Sequence, residues 1–218
     1  MRRARLAAVH DHHDHDHDEH DHDHEHDHEH DAEQDSAEAE RLEREARRLI
    51  ALSRIRQYGD PALRMKAREV EEFDDDLLRL VERMTLLMHE AQGVGLAATQ
   101  VGVLRRLFVF TDDGEDRVLI NPVVTKSSKE TSTDDEGCLS LREVLVPVER
   151  PSSITVEGLD VQGNPVTLEV DEHLARVVQH ELDHLDGVLI IDRTNDEARK
   201  EALARLRPQP VLGVAGPR

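Results

Sequence analysis

Apolar residues recur at helical spacing in two well-marked stretches of the chain. The first lies beyond Asp74, a residue type that caps helix N-termini, and predicts a helix over 75–91 that ends before Gly93. The second predicts a helix over 172–185, and Gly187 just beyond it is a typical C-terminal signal. Each stretch presents an apolar face that must pack against a core.

Two further helices rest on weaker apolar patterns. Residues 33–52 are rich in strong helix formers, with acids before bases, as the helix dipole favours. Their apolar content is thin until the last turn, so we expect a linker helix that packs only at its C-terminal end. A last helix is predicted over 195–206, with Thr194 as its N-cap and Pro208 beyond its end.

The remaining apolar runs are short and have the composition of β-strands. Two of them flank a turn that contains Gly-Asn-Pro, which is a typical hairpin connection. Because strands and helices are segregated along the chain, the predicted class is α+β. The predicted strands lie at 107–111, 118–121, 154–159 and 166–170.

The charge of the chain is strongly acidic, and this limits its partners. Its 218 residues carry a formal net charge of −20, and 2% of them are aromatic. No basic face is available to displace counterions from a phosphate backbone, and aromatic platforms for stacking bases are scarce. We therefore expect no direct nucleic-acid readout.

Residues 10–31 alternate His with Asp and Glu and hold most of the 15 histidines of the chain. Apolar side chains are too few here to offset the entropy of ordering, so residues 1–32 are expected to be disordered. Imidazoles among carboxylates bind Zn²⁺, Ni²⁺, Co²⁺ or Cu²⁺ near neutral pH. Two hypotheses stay open: a metal buffer or delivery arm, and a solvated tail that is dispensable.

The cysteine content and the hydropathy indicate the compartment. Cys138 is the single cysteine, so an internal disulfide is excluded and a reducing environment fits. No apolar run approaches the ~20 residues of a membrane span. The apolar run that follows Arg5 is too short for the core of a secretion signal. We expect a cytoplasmic protein that does not enter a membrane.

His180 and His184 have the spacing of a catalytic metal site. On a helix, residues four apart share one face, so the two imidazoles can bind one ion. Glu181 follows the first of them and is placed to reach a water on that ion. This pattern predicts a metal-dependent hydrolase that acts on a carbonyl compound.

A catalytic site of this kind needs a third protein ligand. The metzincin pattern places a third His at position 190, but Ile190 stands there. A downstream carboxylate is an alternative, and Glu197 is the first one available. Cys138 is the other candidate, because a thiolate with two imidazoles suits Fe²⁺, Zn²⁺, Co²⁺ or Ni²⁺.

Three segments in order, with this lone cysteine, resemble the peptide deformylase family. They are 93–100 (GVGLAATQ), 136–140 (EGCLS) and 179–187 (QHELDHLDG), and 58–64 (YGDPALR) is similar to the opening segment of the family. The resemblance covers about residues 53–207. It implies an α+β fold with antiparallel sheets packed around a central metal-binding helix, and a C-terminal helix.

The resemblance also implies a role for each matching residue. Cys138, His180 and His184 would bind one divalent ion, with Fe²⁺ favoured over Zn²⁺, Ni²⁺ or Co²⁺. A water on that ion would attack the formyl carbon while Glu181 serves as general base and then acid. The Gln100 side chain and the Leu139 N–H would stabilise the oxyanion.

The implied substrate is the N-terminal formyl-methionine of nascent polypeptides. The segment Gly93, Val94 and Gly95 would hold the peptide in an extended pose. A ribosome contact and a monomeric state are expected from the same resemblance. A zinc peptidase and a metal-storage protein with an inactive domain are the alternative functions.

These expectations give four segments. They are a disordered tail over 1–32, a linker helix over 33–52, a catalytic domain over 53–207 and a flexible C-terminus over 208–218.

Overall fold

The computed structural model describes the backbone of residues 25–207 and the side chains of residues 36–207. Residues 1–24 of the predicted tail and the predicted C-terminal segment 208–218 lie outside the described part. Contacts divide the chain into one unit that ends at Leu42 and a second that begins at Glu43. The α-helices are α1 Glu25–Ser53, α2 Asp75–Glu90, α3 Glu172–Leu185 and α4 Asp196–Leu206.

Helix α1 begins at Glu25, which is earlier than the predicted start at residue 33. Residues 25–32 of the predicted tail are therefore part of this helix. The tract contains neither Gly nor Pro, so the good helix formers that follow it can extend the helix toward the N-terminus. Only the last turns of α1 enter a core, where Ala51 is fully buried and Leu52 is 6% exposed.

Within residues 25–207, seven strands form two antiparallel sheets. The larger sheet has five strands in the order β1-β2-β3-β6-β7, and β4 pairs with β5 in a separate hairpin. Each predicted strand is present, although β3 is much longer than the predicted 118–121. The strands are β1 Gly95–Ala97, β2 Leu107–Asp112, β3 Glu115–Ser127, β4 Thr131–Cys138, β5 Leu141–Pro151, β6 Ser153–Leu159 and β7 Pro165–Asp171.

The helix caps explain where α2 and α4 begin. The Asp74 carboxylate accepts a hydrogen bond of 2.9 Å from the Leu77 N–H, which confirms the predicted cap of α2. At α4 the cap is Asn195, whose side-chain oxygen accepts from the Ala198 N–H at 2.9 Å. The prediction of Thr194 as N-cap was wrong by one residue, because both types can cap and only the backbone geometry selects between them.

Helix α3 lies at the centre of the second unit. It packs on strands β1, β2 and β7 of the larger sheet and on β5 of the hairpin. Its apolar face joins a core cluster with Phe108, Phe110 and Val156. This arrangement confirms the α+β class with antiparallel sheets around a central helix.

Gly187 ends α3, as predicted, and its position tolerates no side chain. Its φ of +75° is in the left-handed region that glycine adopts without strain. A Cβ there would lie 2.7 Å from the backbone oxygen of Arg64. The turn after α3 can therefore pack directly against the short 3₁₀ helix Pro61–Arg64.

Candidate metal centre

Helix α3 brings the two predicted histidine ligands together. His180 and His184 lie one turn apart, and their ring centroids are 4.9 Å apart at an interplanar angle of 67°. His184 is 1% exposed, and the side chain of His180 is 12% exposed. The two rings therefore form the buried end of the site.

Cys138 comes to the same place from the end of strand β4. The β4–β5 register shifts between Gly137 and Cys138, which turns the end of β4 away from the regular ladder. Its Sγ lies 3.2 Å from His184 Nε2. Ligand atoms of Cys138, His180 and His184 all lie within 4.8 Å of one another. Glu197, the alternative ligand, is exposed on α4 and outside this group.

The donor set and an unpaired polar atom fit a divalent ion with a water beside it. One thiolate and two imidazoles suit borderline-soft ions such as Fe²⁺ and Zn²⁺. Glu181 Oε2 is buried and has no hydrogen-bond partner among the described residues. A buried carboxylate oxygen without a partner is costly, and a water on the ion would supply the missing donor.

Glu181 is enclosed by the predicted substrate segment. The residue is 3% exposed, and burial raises the pKa of its carboxyl group to about 7. A Cβ added to Gly95 would contact Oε1 and lie 2.9 Å from Cδ of this carboxylate. The absence of a side chain at Gly95 therefore leaves the space that the Glu181 carboxylate occupies.

Gln100 is held with its amide nitrogen toward the candidate ligands. Its Oε1 accepts a 2.8 Å hydrogen bond from the Ala97 N–H. Its Nε2 donates to Ser140 Oγ at 3.2 Å and lies 3.9 Å from Cys138 Sγ. Leu139 follows in the chain, and its carbonyl accepts from Gln57 Nε2 at 3.1 Å. Both predicted oxyanion donors are thus placed beside the cysteine.

A buried ionic cluster lies beside His180, and no pattern in the sequence predicted it. Glu136 Oε2 lies 3.1 Å from His180 Nδ1, so the carboxylate can orient the ring. Burial alone would raise the pKa of Glu136, but hydrogen bonds with Arg150 and His180 lower it to about 2. Arg176 also donates to Glu136, at 2.8 Å.

The same cluster extends along helix α3. Arg150 donates to Glu136 at 2.6 and 2.9 Å and to Asp183 at 2.9 Å. Asp183 also accepts from Arg193 at 2.6 Å. Asp183 is close to His180 in the sequence, and this is the only signal that could have linked the cluster to the metal site. Arg150 lies on a different element and far from both in the sequence.

One groove connects the predicted residues. It encloses about 1180 Å³, and all the predicted site residues except His184 line it. Val94 is 50% exposed at its edge. His173, which lies near the start of α3, also lines the groove. The groove gives an extended ligand direct access to Glu181.

Comparison with known proteins identifies the family. The sequence model of the polypeptide deformylase family matches residues 52–200. The peptide deformylase of Acidothermus cellulolyticus is 46% identical over 158 residues, which are 72% of this chain and 87% of that protein.

Solved structures agree. The peptide deformylase of Thermotoga maritima superposes with a TM-score of 0.64 at 45% identity, over 65% of this chain and 97% of that chain. The deformylase of Legionella pneumophila has a TM-score of 0.67 at 37% identity, over 70% of this chain and 91% of that chain. The chain belongs to the peptide deformylase family.

Peptide deformylases are metal-dependent hydrolases that remove the N-formyl group from nascent chains, and the predicted enzyme class is confirmed. The predicted alternatives, a zinc peptidase and an inactive metal-storage protein, have no support in these comparisons. Within residues 25–207, no helix is long and apolar enough to span a membrane.

The close approach of Gly95 to Glu181 leads to a prediction for this deformylase. Gly95→Ala should lower kcat/KM by about 10- to 100-fold, because the new Cβ displaces the Glu181 carboxylate, and small misplacements of catalytic groups have effects of this size. The measurement is formate release from a formyl-Met peptide.

Bound metal and melting temperature serve as the controls for this variant. Gly95 does not have a positive φ, so alanine introduces no backbone strain. Both controls should therefore match the wild type. An unchanged kcat/KM would show that Glu181 does not depend on the space at Gly95.

Proposed function

We propose that Cys138, His180 and His184 bind the catalytic ion and that Glu181 transfers the proton in deformylation. The observation that carries this proposal is the convergence of the three donors within 4.8 Å at the end of the groove. When bound, the ion would supply Lewis acidity and would lower the pKa of a bound water to a value near neutral pH. The unpaired Oε2 of Glu181 accepts the proton of the attacking water and delivers it to the leaving amine.

The oxyanion is stabilised by donors on two elements. Gln100 offers its Nε2. The orientation of this amide is fixed because its oxygen accepts a hydrogen bond from the Ala97 N–H. Leu139 offers its backbone N–H from the segment after Cys138. The backbone of Gly93, Val94 and Gly95 binds the peptide as an added extended strand beside β1.

The activity and its metal requirement can be tested together. The protein should release formate from formyl-Met peptides and leave internally blocked peptides intact. A strong chelator should abolish the activity, and Fe²⁺ added without oxygen should restore it. Cleavage of the internally blocked peptides would instead support the peptidase alternative.

The role of Gln100 is tested by Gln100→Glu. Glutamate keeps the oxygen that accepts from the Ala97 N–H but removes the amide donor. Loss of one oxyanion donor typically reduces the rate by about 100- to 1,000-fold. Ser140→Ala, which removes only the neighbouring acceptor of Nε2, should have a much smaller effect on kcat. Equal effects of the two variants would contradict the donor role.

We further propose that Fe²⁺ is the native ion, since the thiolate and imidazole set accepts it. Elemental analysis of protein purified without oxygen tests this. We also propose that the protein is a monomer and works in the cytoplasm. Its substrates would be chains that emerge from the ribosome. Light scattering and co-sedimentation with ribosomes are the measurements.

The histidine tract provides a separate proposal, that of a metal buffer or delivery arm. It rests on the sequence of residues 10–31, most of which lie outside the described part of the chain. Removal of residues 1–31 should lower the metal occupancy of the active site under metal limitation. Unchanged occupancy and reactivation rate would favour the dispensable tail.

A further inference from the structure

The last turns of α1 form one side of the groove. The α1 residues that line it are Glu45, Arg48, Leu49 and Leu52. Their spacing places them on one face of the helix. The family match begins at residue 52, so Glu45, Arg48 and Leu49 come from outside the matched segment. This wall is an addition to the part of the chain that carries the family resemblance.

The core holds this wall in place. Ala51 is fully buried and Leu52 is 6% exposed, and both belong to the cluster that contains Leu87 and Met88 of α2. Arg48 lies one turn before Leu52 on the same face of α1. The backbone of Arg48 is therefore fixed beside the groove by the packing of the next turn.

Arg48 has donor capacity that the described residues leave unused. Its Nε is buried and has no hydrogen-bond partner among them, while the whole side chain is 40% exposed. Its ion pair with Glu45 is long, at 3.9 Å. Arg176, another arginine of the groove, is already occupied by Glu136 and Asp134 at 2.8 Å each. A carboxylate in the groove would pair with the exposed part of the Arg48 guanidinium group.

The size of the groove leaves room for such a ligand. Its volume of about 1180 Å³ exceeds the ~300–1,000 Å³ typical of a small-molecule pocket. When the formyl group is at Glu181, the peptide beyond the methionine must leave along the groove. An extended chain advances about 3.3 Å per residue, so a few residues bring it along the wall.

We propose that Arg48 contacts the peptide beyond its formyl-methionine and favours substrates with an acidic side chain there. This inference rests on the proposed function, because it requires a formylated peptide in the groove. Arg48 acts on binding and leaves the chemical step at Glu181 unchanged. Its contribution should therefore appear in KM, with kcat constant.

The experiment compares Arg48→Glu and Arg48→Gln with the wild type on formyl-Met-Ala-Ala-Ala peptides. One Ala at a time is replaced by Asp or Lys at the second, third or fourth position. The wild type should prefer Asp to Lys about threefold in kcat/KM at one of these positions, as expected for a partly exposed ion pair. Arg48→Gln should remove the preference, and Arg48→Glu should reverse it.

Arg47→Glu is the matched control, because Arg47 is the next residue back on α1, is 62% exposed and is paired with Glu43 outside the groove. It should keep the wild-type preference. The proposal is overturned if the Asp-to-Lys ratio is the same in all variants, or if Arg47→Glu shifts it as much as Arg48→Glu. Hydrolysis of formyl-Met-Ala by the wild type tests the proposed function separately, since that peptide lacks the longer stretch.

Discussion

Glu181→Gln is expected to keep the metal and to lose about 100- to 10,000-fold in kcat, the range that positioned general acid–base groups contribute. The amide has nearly the size of the carboxylate, so it fits the same enclosed space beside Gly95. It cannot accept the proton of the attacking water, and it cannot return that proton to the leaving amine. The measurement is formate release together with elemental analysis of the same preparation.

The structure makes this a sharp test because one oxygen of the buried Glu181 carboxylate has no described partner. Its Oε2 has no hydrogen-bond partner among residues 36–207, so the substitution breaks no described contact at that atom. Glu169→Gln, the same change at an exposed position of β7, serves as the control for a lost charge. If Glu181→Gln retained more than a tenth of the activity, another group would have to transfer the proton.

Much of the site could be predicted from sequence because its motifs are local. His180, Glu181 and His184 lie on one helix, and the pattern of apolar residues and glycine placed that helix at 172–185, the bounds that the structure has. Cys138 lies on another element, so no local motif links it to the two histidines. It was proposed as the third ligand because a thiolate can bind the same ion as two imidazoles. Its neighbours Gln100 and Leu139 entered through the family resemblance alone.

The elements that were not predicted are those in which polar residues form a strand or line the groove. Strands β4 and β5 were not predicted. The sequence of β4 is TSTDDEGC, in which only Glu136 is buried. Period-two hydrophobicity is absent from such a strand, so its pairing with β5 cannot be read from it. The groove-lining face of α1 was missed for a related reason, since Glu45 and Arg48 are polar.

The burial of charged side chains was also not predicted. A rule that places apolar residues inside and charges outside assigns Arg150 and Arg176 to the surface. Each is buried against carboxylates that include Glu136, whose side chain is 5% exposed. Those partners come from other elements of the chain, and the pairing is fixed by the tertiary fold rather than by any local pattern.

Arg150→Met should be the most destabilising of the substitutions considered, at about 3 kcal/mol in the free energy of unfolding. The Arg150 side chain is 6% exposed, and it pairs with Glu136 and Asp183, whose side chains are 5% and 11% exposed. Removing one member of a buried ion pair typically costs ~3–5 kcal/mol, because the remaining charge stays buried without compensation. We expect the lower end, since Arg176 still contacts Glu136 and Arg193 still contacts Asp183.

Arg150→Met should also lower the metal affinity, because the cluster contacts the proposed ligand His180. With Arg150 gone, Glu136 loses two of the hydrogen bonds that orient it and keeps the one from Arg176, so its hydrogen bond with His180 Nδ1 weakens. Loss of such an outer partner usually lowers metal affinity by about 10- to 100-fold. Urea unfolding and a metal competition titration measure the two effects. The double variant Arg150→Met with Glu136→Gln should recover part of the stability but not the metal affinity, because one carboxylate that Arg150 compensated becomes neutral while the partner of His180 is weakened. Equal metal affinity in all three proteins would show that the cluster supports only the fold.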